Sequence, residues 1–202
     1  MPEPETNNMT RFDCEAVAVD FETTGPVPGY PNRPWQIGMA PIGGGAIRSG
    51  SLFSSLINVG ARPFNKYAPG RHAQLRGEIA AAPTMSELCP TILPMLTGKF
   101  IVAHNAGTER AALAAAAPLH KFGPWLDTLA LARAVWQSPD SYTLEDLCAR
   151  HNLSAAVSAL CPGLAPHDAL YDAVACAALF LLIRRQPGWK ELSLEELANF
   201  NK

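Results

Sequence analysis

Four clusters in this chain bring together side chains that could do chemistry. The first is Asp20-Phe21-Glu22-Thr23-Thr24-Gly25, two carboxylates two positions apart, approached by the apolar run Ala16-Val17-Ala18-Val19 and closed by a Gly25-Pro26 turn. Alternate residues of a strand share one face, so Asp20 and Glu22 project side by side from the end of a buried strand. Two anions in that position are unfavourable unless a cation or hydrogen bonds compensate them. For an arbitrary Asp-x-Glu a solvated strand end is the ordinary explanation. Here the apolar approach and the immediate turn point to a divalent metal ion. The second cluster, His104-Asn105-Ala106-Gly107-Thr108-Glu109, follows a short apolar run and puts Glu109 in the first turn of a helix, where the helix dipole alone favours an acid. His104 taken alone is a strand-end histidine satisfied by backbone. The third is Pro166-His167-Asp168-Ala169-Leu170-Tyr171-Asp172-Ala173. Asp172 shares helical spacing with positions 176, 179 and 183 and so lies on or beside an apolar stripe, where a carboxylate needs a metal or a base as partner. His167 reaches the same pocket if it sits on the loop before that helix; otherwise it is a surface histidine. The fourth, Asp127-Thr128-Leu129, reads as an acid at a helix N-terminus.

The elements that must position these groups are legible in outline. Residues 14–21 form a first strand, and the four prolines between Pro26 and Pro34 make a surface loop. Trp35 to Ala40 and the region Ala46 to Val59 supply a second and third strand, joined by a turn at Pro41 to Gly45 into an antiparallel meander. Residues 60–83 are irregular and carry Arg62, Lys66, Arg71, His72 and Arg76, either a solvated face or, with Phe64 and Tyr67 interleaved, a loop facing nucleic acid. Thr84-Met85-Ser86-Glu87 is a capping box opening a helix to about Leu96, which Pro90 and Pro94 are expected to kink or interrupt. Lys99 to Ala103 is a buried strand. Thr108 is expected to cap a helix over Glu109 to Ala117. Trp125-Leu126 is a last short strand, and helices follow from Asp127 to Trp136 and from Thr143 to about His151. An irregular stretch then leads to a long helix from about His167 to Arg185, and Ser193-Leu194-Glu195-Glu196 caps a short, loosely docked helix. The order predicts an α/β fold with a mixed five-stranded sheet: antiparallel strands 1–3, then parallel strands, flanked by helices. Residues 1–12 are a flexible leader, 13–186 the main domain and 187–202 a C-terminal extension.

Composition narrows the classes. The chain has 202 residues, 48% of them hydrophobic, and a formal charge of −2. It lacks the broad basic footprint of a duplex-coating protein, but a protein that meets nucleic acid only at a metal-neutralised site remains compatible. The five cysteines, Cys14, Cys89, Cys148, Cys161 and Cys176, contain no Cys-x-x-Cys pair and are odd in number, against a disulfide framework or thiolate zinc site. Met1 to Thr10 is polar and acidic, unlike a signal peptide, and the longest apolar run, Ala173 to Ile183, falls short of the ~20 residues a bilayer span needs. A cytoplasmic protein with no membrane association is expected.

Asp20-x-Glu22-Thr23-Thr24-Gly25, then His104-Asn105, then His167 and Asp172 ahead of an Ala-rich helix, resemble the DEDDh 3′–5′ exonucleases, the family of the DNA polymerase III proofreading subunit, RNase T and oligoribonuclease. Connecting features such as Ile37-Gly38, Ala82-Pro83-Thr84 and Leu144-Glu145-Asp146-Leu147 extend the likeness over roughly residues 13–186. It implies an RNase H-like fold and release of nucleoside 5′-monophosphates from 3′ ends of single-stranded DNA or RNA. Asp20, Glu22, Glu109 and Asp172 would hold two divalent cations, Mg²⁺ or Mn²⁺, and His167 would act as general base. Thr23, Thr24, Gly25, His104 and Asn105 would contact the terminal nucleotide. The family admits a homodimer or a polymerase partner. One motif departs from the pattern. The family usually has His-Asn-x-x-Phe-Asp where this chain has His104-Asn105-Ala106-Gly107-Thr108-Glu109, so Glu109 replaces Asp and Thr108 an aromatic. Retained metal binding with altered metal preference or rate is expected, since hard cations accept either carboxylate.

Two other readings compete. A nuclease-fold module that binds nucleic acid or a protein without cutting fits the changed second motif, but it has no need for clustered unpaired acids. An HD-type phosphohydrolase built on His167-Asp168 would need further His and Asp ligands, and His104, His120 and His151 do not fall in such a pattern.

Overall fold

The apolar alternation around Asp20 becomes the central strand β1 (Ala16–Thr23) of a mixed sheet in a computed structural model that describes residues 15–137 and 140–201. The leader expected over residues 1–12 lies outside the described residues. β2 (Pro34–Gly43) pairs antiparallel with β1, while β5 (Phe100–Ala103) pairs parallel with β1, and β6 (Trp125–Asp127) parallel with β5. The sheet has six strands, one more than expected. The region Ala46 to Val59 splits into β3 (Ala46–Ile47) and β4 (Phe53–Leu56), both antiparallel to β2. The break is a 3₁₀ turn at Ser49–Ser51. The Arg48 N–H returns to the Pro41 carbonyl at 2.8 Å and the Ser51 N–H to the Arg48 carbonyl at 2.9 Å, so the chain leaves β2 and rejoins it further along.

Strand alternation decides which face the acids occupy. Ala16 and Ala18 pack into a core that includes helix α7 (Ala169–Arg184), whereas Val17, Val19 and Phe21 pack against the opposite side, under α2 (Met85–Leu96) and α3 (Gly107–Ala116). By the same period of two, Asp20 and Glu22 fall on the α7 face. α7 is apolar on nearly all sides, as expected of a helix buried between the sheet and its neighbours α4 (Thr128–Val135), α5 (Leu144–Arg150) and α6 (Ser154–Leu160). Its first turn lies directly on β2 at Gly38, where a Cβ would come within 2.1 Å of the Ala169 carbonyl oxygen. Gly38→Ala is therefore expected to destabilise the chain by about 1–3 kcal/mol, read as a lower urea midpoint, because backbone rather than a flexible side chain must move. An unchanged midpoint would show that this contact does not fix α7.

Several local expectations are revised. α2 runs unbroken through Pro90 and Pro94. Both prolines are on its exposed side, where water can satisfy the carbonyls left without a donor, while Leu88, Ile92, Met95 and Leu96 anchor the buried side. The helix α1 (Arg76–Ala81) and α6 arise in stretches expected to be irregular. Thr108 lies inside the first turn of α3 rather than capping it; Ala106 is the cap residue. The C-terminal helix α8 (Leu194–Ala198), capped by Ser193, is not loosely docked, because Leu197 is fully buried in the α7-side core. Cys89, Cys148, Cys161 and Cys176 are free thiols. Among the described residues no helix is long and apolar enough to cross a membrane.

Candidate active site

β1 continues past its paired segment with β5, which covers only Ala16 to Ala18, so its end stands at the carboxyl edge of the parallel strands. A cavity of about 880 Å³ opens there. Asp20, Glu22, Thr23, Gly25, His104, Asn105, Glu109, His167 and Asp172 all line it. Residues far apart in the chain thus meet in one place, at the edge where open α/β sheets hold their ligands.

Each group is fixed by its own element. The turn after β1 is held from two loops, by backbone N–H groups of both and by the Asn32 side chain. The Thr24 hydroxyl accepts the Arg33 N–H at 3.2 Å, Asn32 bonds the hydroxyls of Thr23 and Thr24, and the Asn65 N–H donates to the Thr24 carbonyl at 2.8 Å. Thr24 is therefore buried and shapes the turn, while Thr23 and Gly25 face the cavity. Gly25 has φ +70°, and a Cβ there would stand 2.9 Å from the Asn65 Cβ, so the turn requires glycine on both counts. The turn after β5 is held from the end of the neighbouring strand β6. The Asp127 carboxylate accepts the N–H groups of Asn105 and Ala106 at 2.9 and 3.0 Å while capping α4 through Leu129, a positioning role beyond the helix acid expected from sequence. His104 is committed at both ring nitrogens, Nδ1 to the Thr128 hydroxyl and Nε2 to the Tyr142 carbonyl, each at 2.9 Å. Burial pushes its pKa down, so it presents a neutral ring edge to the cavity.

The acids are crowded and short of positive charge. Glu109 is 4% exposed, and backbone N–H groups of Glu109 itself and Phe21 hold its carboxylate, yet Oε2 has no partner. Burial, then the charges of Asp172, Glu109 and Glu22, push the Asp20 carboxyl well above its usual range. Burial, followed by Asp172, lifts Glu22 to about 7, and burial lifts Glu109 to about 7 as well. Asp172 rises to about 6 through burial, opposed by the His167 N–H, which donates to its carboxylate at 2.9 Å. Glu22, His167 and Asp172 bring ligand-capable atoms within 4.8 Å of one another; Asp20 and Glu109 are outside that triplet but within electrostatic reach. A cluster of carboxylates that resists ionisation alone, with one buried oxygen orphaned, fits hard divalent cations.

The basic stretch is only partly free. Arg62 donates to the carbonyls of Val59 and Pro31, Arg76 lies over the Phe64 ring, and Phe64 stacks on the buried His72. Tyr67 remains at the cavity's lip, 81% exposed, with the Lys66 ammonium 4.7 Å from its ring centroid. A second groove, about 610 Å³, joins the cavity at Thr23, Asn32 and Thr108 and is floored by Ala111, Ala112, Ala115 and Ala116 of α3. Three residues around His167 take positioning roles that the sequence reading does not assign to them. Gln36 accepts the Ala169 N–H, Asp168 caps α7, and Arg71 pairs with Asp168. Only Asp168, placed just ahead of a helix, carried a readable signal.

A family model described as an exonuclease matches residues 17–180. A DNA polymerase III subunit epsilon-like protein of Rhodobacter capsulatus is 31% identical over 168 residues, covering 82% of this chain and 23% of that protein. Exodeoxyribonuclease 10 of Escherichia coli K12 is 30% identical over 128 residues, 63% of this chain and 53% of that protein. This chain therefore spans between about a quarter and half of these relatives' lengths. Among solved structures, exonuclease X in complex with 5′ overhanging duplex DNA superimposes with a TM-score of 0.71 at 27% identity, covering 93% of this chain and 99% of that one. The nuclease domain of 3′hExo, a DEDDh family member bound to rAMP, shares the fold with a TM-score of 0.65 at 12% identity, covering 86% and 93%.

Proposed function

The chain belongs to the exonuclease family, and we propose that it is a nuclease, specifically a metal-dependent 3′–5′ exonuclease that removes nucleoside 5′-monophosphates from single-stranded or frayed 3′ ends. The observation that carries this reading is the convergence of Asp20, Glu22, Glu109, Asp172 and His167 on one cavity. Asp20, Glu22, Glu109 and Asp172 would hold divalent cations, Mg²⁺ or Mn²⁺, which supply Lewis-acid charge to the phosphodiester and the attacking water. His167 is exposed on the cavity's edge, and a ring nitrogen accepts the proton of the attacking water. Its backbone N–H, bonded to Asp172, keeps that ring beside the acids. Thr23, Gly25 and Asn105 line the wall against which the terminal nucleotide rests, and the alanine-floored groove beyond Thr108 takes apolar base surface. The exodeoxyribonuclease relatives favour DNA over RNA, and the epsilon-like relative makes a polymerase partner, rather than a homodimer, the first association to examine. Residues 13–186 form the exonuclease domain and 187–202 an extension of it.

The direct test is a panel of 5′-labelled single-stranded DNA, single-stranded RNA and mismatched primer incubated with Mg²⁺ or Mn²⁺. A ladder shortening one nucleotide at a time from the 3′ end is expected, DNA being cut faster than RNA. Internal cleavage, or shortening of a 3′-labelled strand from its 5′ end, would refute the direction. Binding of oligonucleotide without any cleavage would leave a module that holds nucleic acid but does not cut.

A further inference from the structure

His167 sits on a turn that is unusual in conformation and is gripped from several sides. Its φ is +65°, a left-handed conformation that residues other than glycine adopt with strain. The turn is held from β2 by Gln36, whose side-chain oxygen accepts the Ala169 N–H at 3.3 Å, and from α7 by Asp172. The remaining grip comes from the loop over residues 60–75. At Gly70, φ +85°, a Cβ would stand 2.9 Å from the His167 carbonyl oxygen and 3.5 Å from Glu22 Oε2, so the loop's backbone lies against both. At the next residue the Arg71 guanidinium reaches Asp168 Oδ2 at 3.0 Å. Asp168 is 4% exposed and uses its other oxygen to cap α7 through the Leu170 N–H. It is a fifth carboxylate beside the four acids of the site, and Arg71 is the cation that neutralises it.

We propose that Arg71 is a positioning residue for His167: its ion pair with Asp168 locks the loop over residues 60–75 onto the turn after Pro166 and so holds the imidazole beside Glu22 and Asp172. This rests on the nuclease reading for what His167 does, though not for where it is held. Nothing about the arrangement requires Arg71 to touch nucleic acid.

The test compares the wild-type chain with Arg71→Met, Arg71→Lys, Asp168→Asn and the double variant Arg71→Met/Asp168→Asn. Asn retains helix-capping ability, so Asp168→Asn removes the charge without removing the cap. Two measurements are made: steady-state cleavage of a 5′-labelled single-stranded oligonucleotide, and the ring C–H resonances of His167 by NMR in the metal-free protein, assigned by their loss in His167→Asn. Arg71→Met is expected to lower kcat by about 10- to 100-fold, the scale of a small misplacement of a catalytic group. KM should stay within about twofold, since no substrate contact is lost. Arg71→Lys should recover part of the loss, and the double variant should be no worse than the poorer single. The His167 resonances should shift or broaden in Arg71→Met. Wild-type kcat in Arg71→Met overturns the proposal, as does a rise in KM alone, which would make Arg71 a nucleic-acid contact. If the wild-type chain cleaves nothing with either cation, the nuclease reading fails and the NMR measurement decides the positioning role by itself. His167 resonances identical in wild type, Arg71→Met and Asp168→Asn would refute it.

Discussion

Asp20→Asn is expected to reduce oligonucleotide cleavage by roughly 10³- to 10⁴-fold, the scale on which a cooperating catalytic set loses activity when one member goes. Asp20 lies at the electrostatic centre of the site, its carboxyl acted on by Asp172, Glu109, Glu22 and Asp168 together. Asparagine preserves its shape but withdraws the charge that a divalent cation would require, so the loss should persist at saturating substrate. The same substitution should raise the thermal midpoint of the metal-free protein at pH 8, because it removes a carboxyl whose ionised form the folded site disfavours and the unfolded chain does not. Opposite signs for activity and stability distinguish a functional carboxylate from a structural one. Equal shortening by the native chain and Asp20→Asn would dismiss the catalytic assignment, and a lower midpoint would make Asp20 a structural acid.

Metal-free protein should lose stability as the pH rises from about 5 to 8, and added Mg²⁺ or Mn²⁺ should reverse much of that loss. Glu22 and Glu109 are lifted from 4.5 to about 7 and Asp172 from 3.8 to about 6, with burial the leading cause in each case. A carboxyl raised in the folded state binds its proton more tightly there than in the unfolded chain. Its stabilising contribution is complete below the unfolded value and is lost as the pH passes through the folded one. For the set the fall is on the order of 3 kcal/mol or more by pH 8. His104 slopes the other way, since burial favours its neutral form and stability is lost as it is forced to protonate, but it is one group against several. Divalent cations at ~100 times their Kd add about 2.7 kcal/mol to the native state at the upper end of this range, where the acids are ionised. Thermal midpoints taken from pH 5 to 8, with chelator and with either cation, decide the matter. A midpoint that stays flat or climbs with pH in chelator would mean that the acids are already compensated within the protein. Glu109→Gln should flatten the chelator curve, since it deletes one of the raised groups.

Local physics made much of the fold readable. The run Ala16 to Val19 alternates between two cores, and that alternation alone puts Asp20 and Glu22 on a common face. The Thr84–Glu87 and Ser193–Glu196 capping boxes formed where their spacing requires, because both partners of each lie within four residues. Elements were misjudged where the deciding contact was distant or the segment short. Ala106 and Asn105 find their hydrogen-bond acceptor in Asp127, about twenty positions away, so no local rule could replace Thr108 as the cap of α3. α1 and α6 have six and seven residues, too few for a helical period to stand out. The prolines of α2 look locally like breakers, and only the exposure of that face, a tertiary fact, lets the helix pass through them.

What the sequence determined by itself is the chemistry on offer: carboxylates at Asp20, Glu22, Glu109 and Asp172, a histidine at His167, and strands and helices that deliver them to element ends. Side-chain type and strand or helix period are local quantities, and they survive without knowledge of the rest of the chain. What only the tertiary structure decided is how those groups are held and charged. Gly38 gives α7 its seat on β2, and Arg71 neutralises Asp168 from a loop 97 residues away. His104 is drawn into hydrogen bonds at both ring nitrogens, and Glu109 retains one buried oxygen without a partner. These depend on desolvation and on atoms meeting through space, and both exist only once the chain has closed around the end of β1.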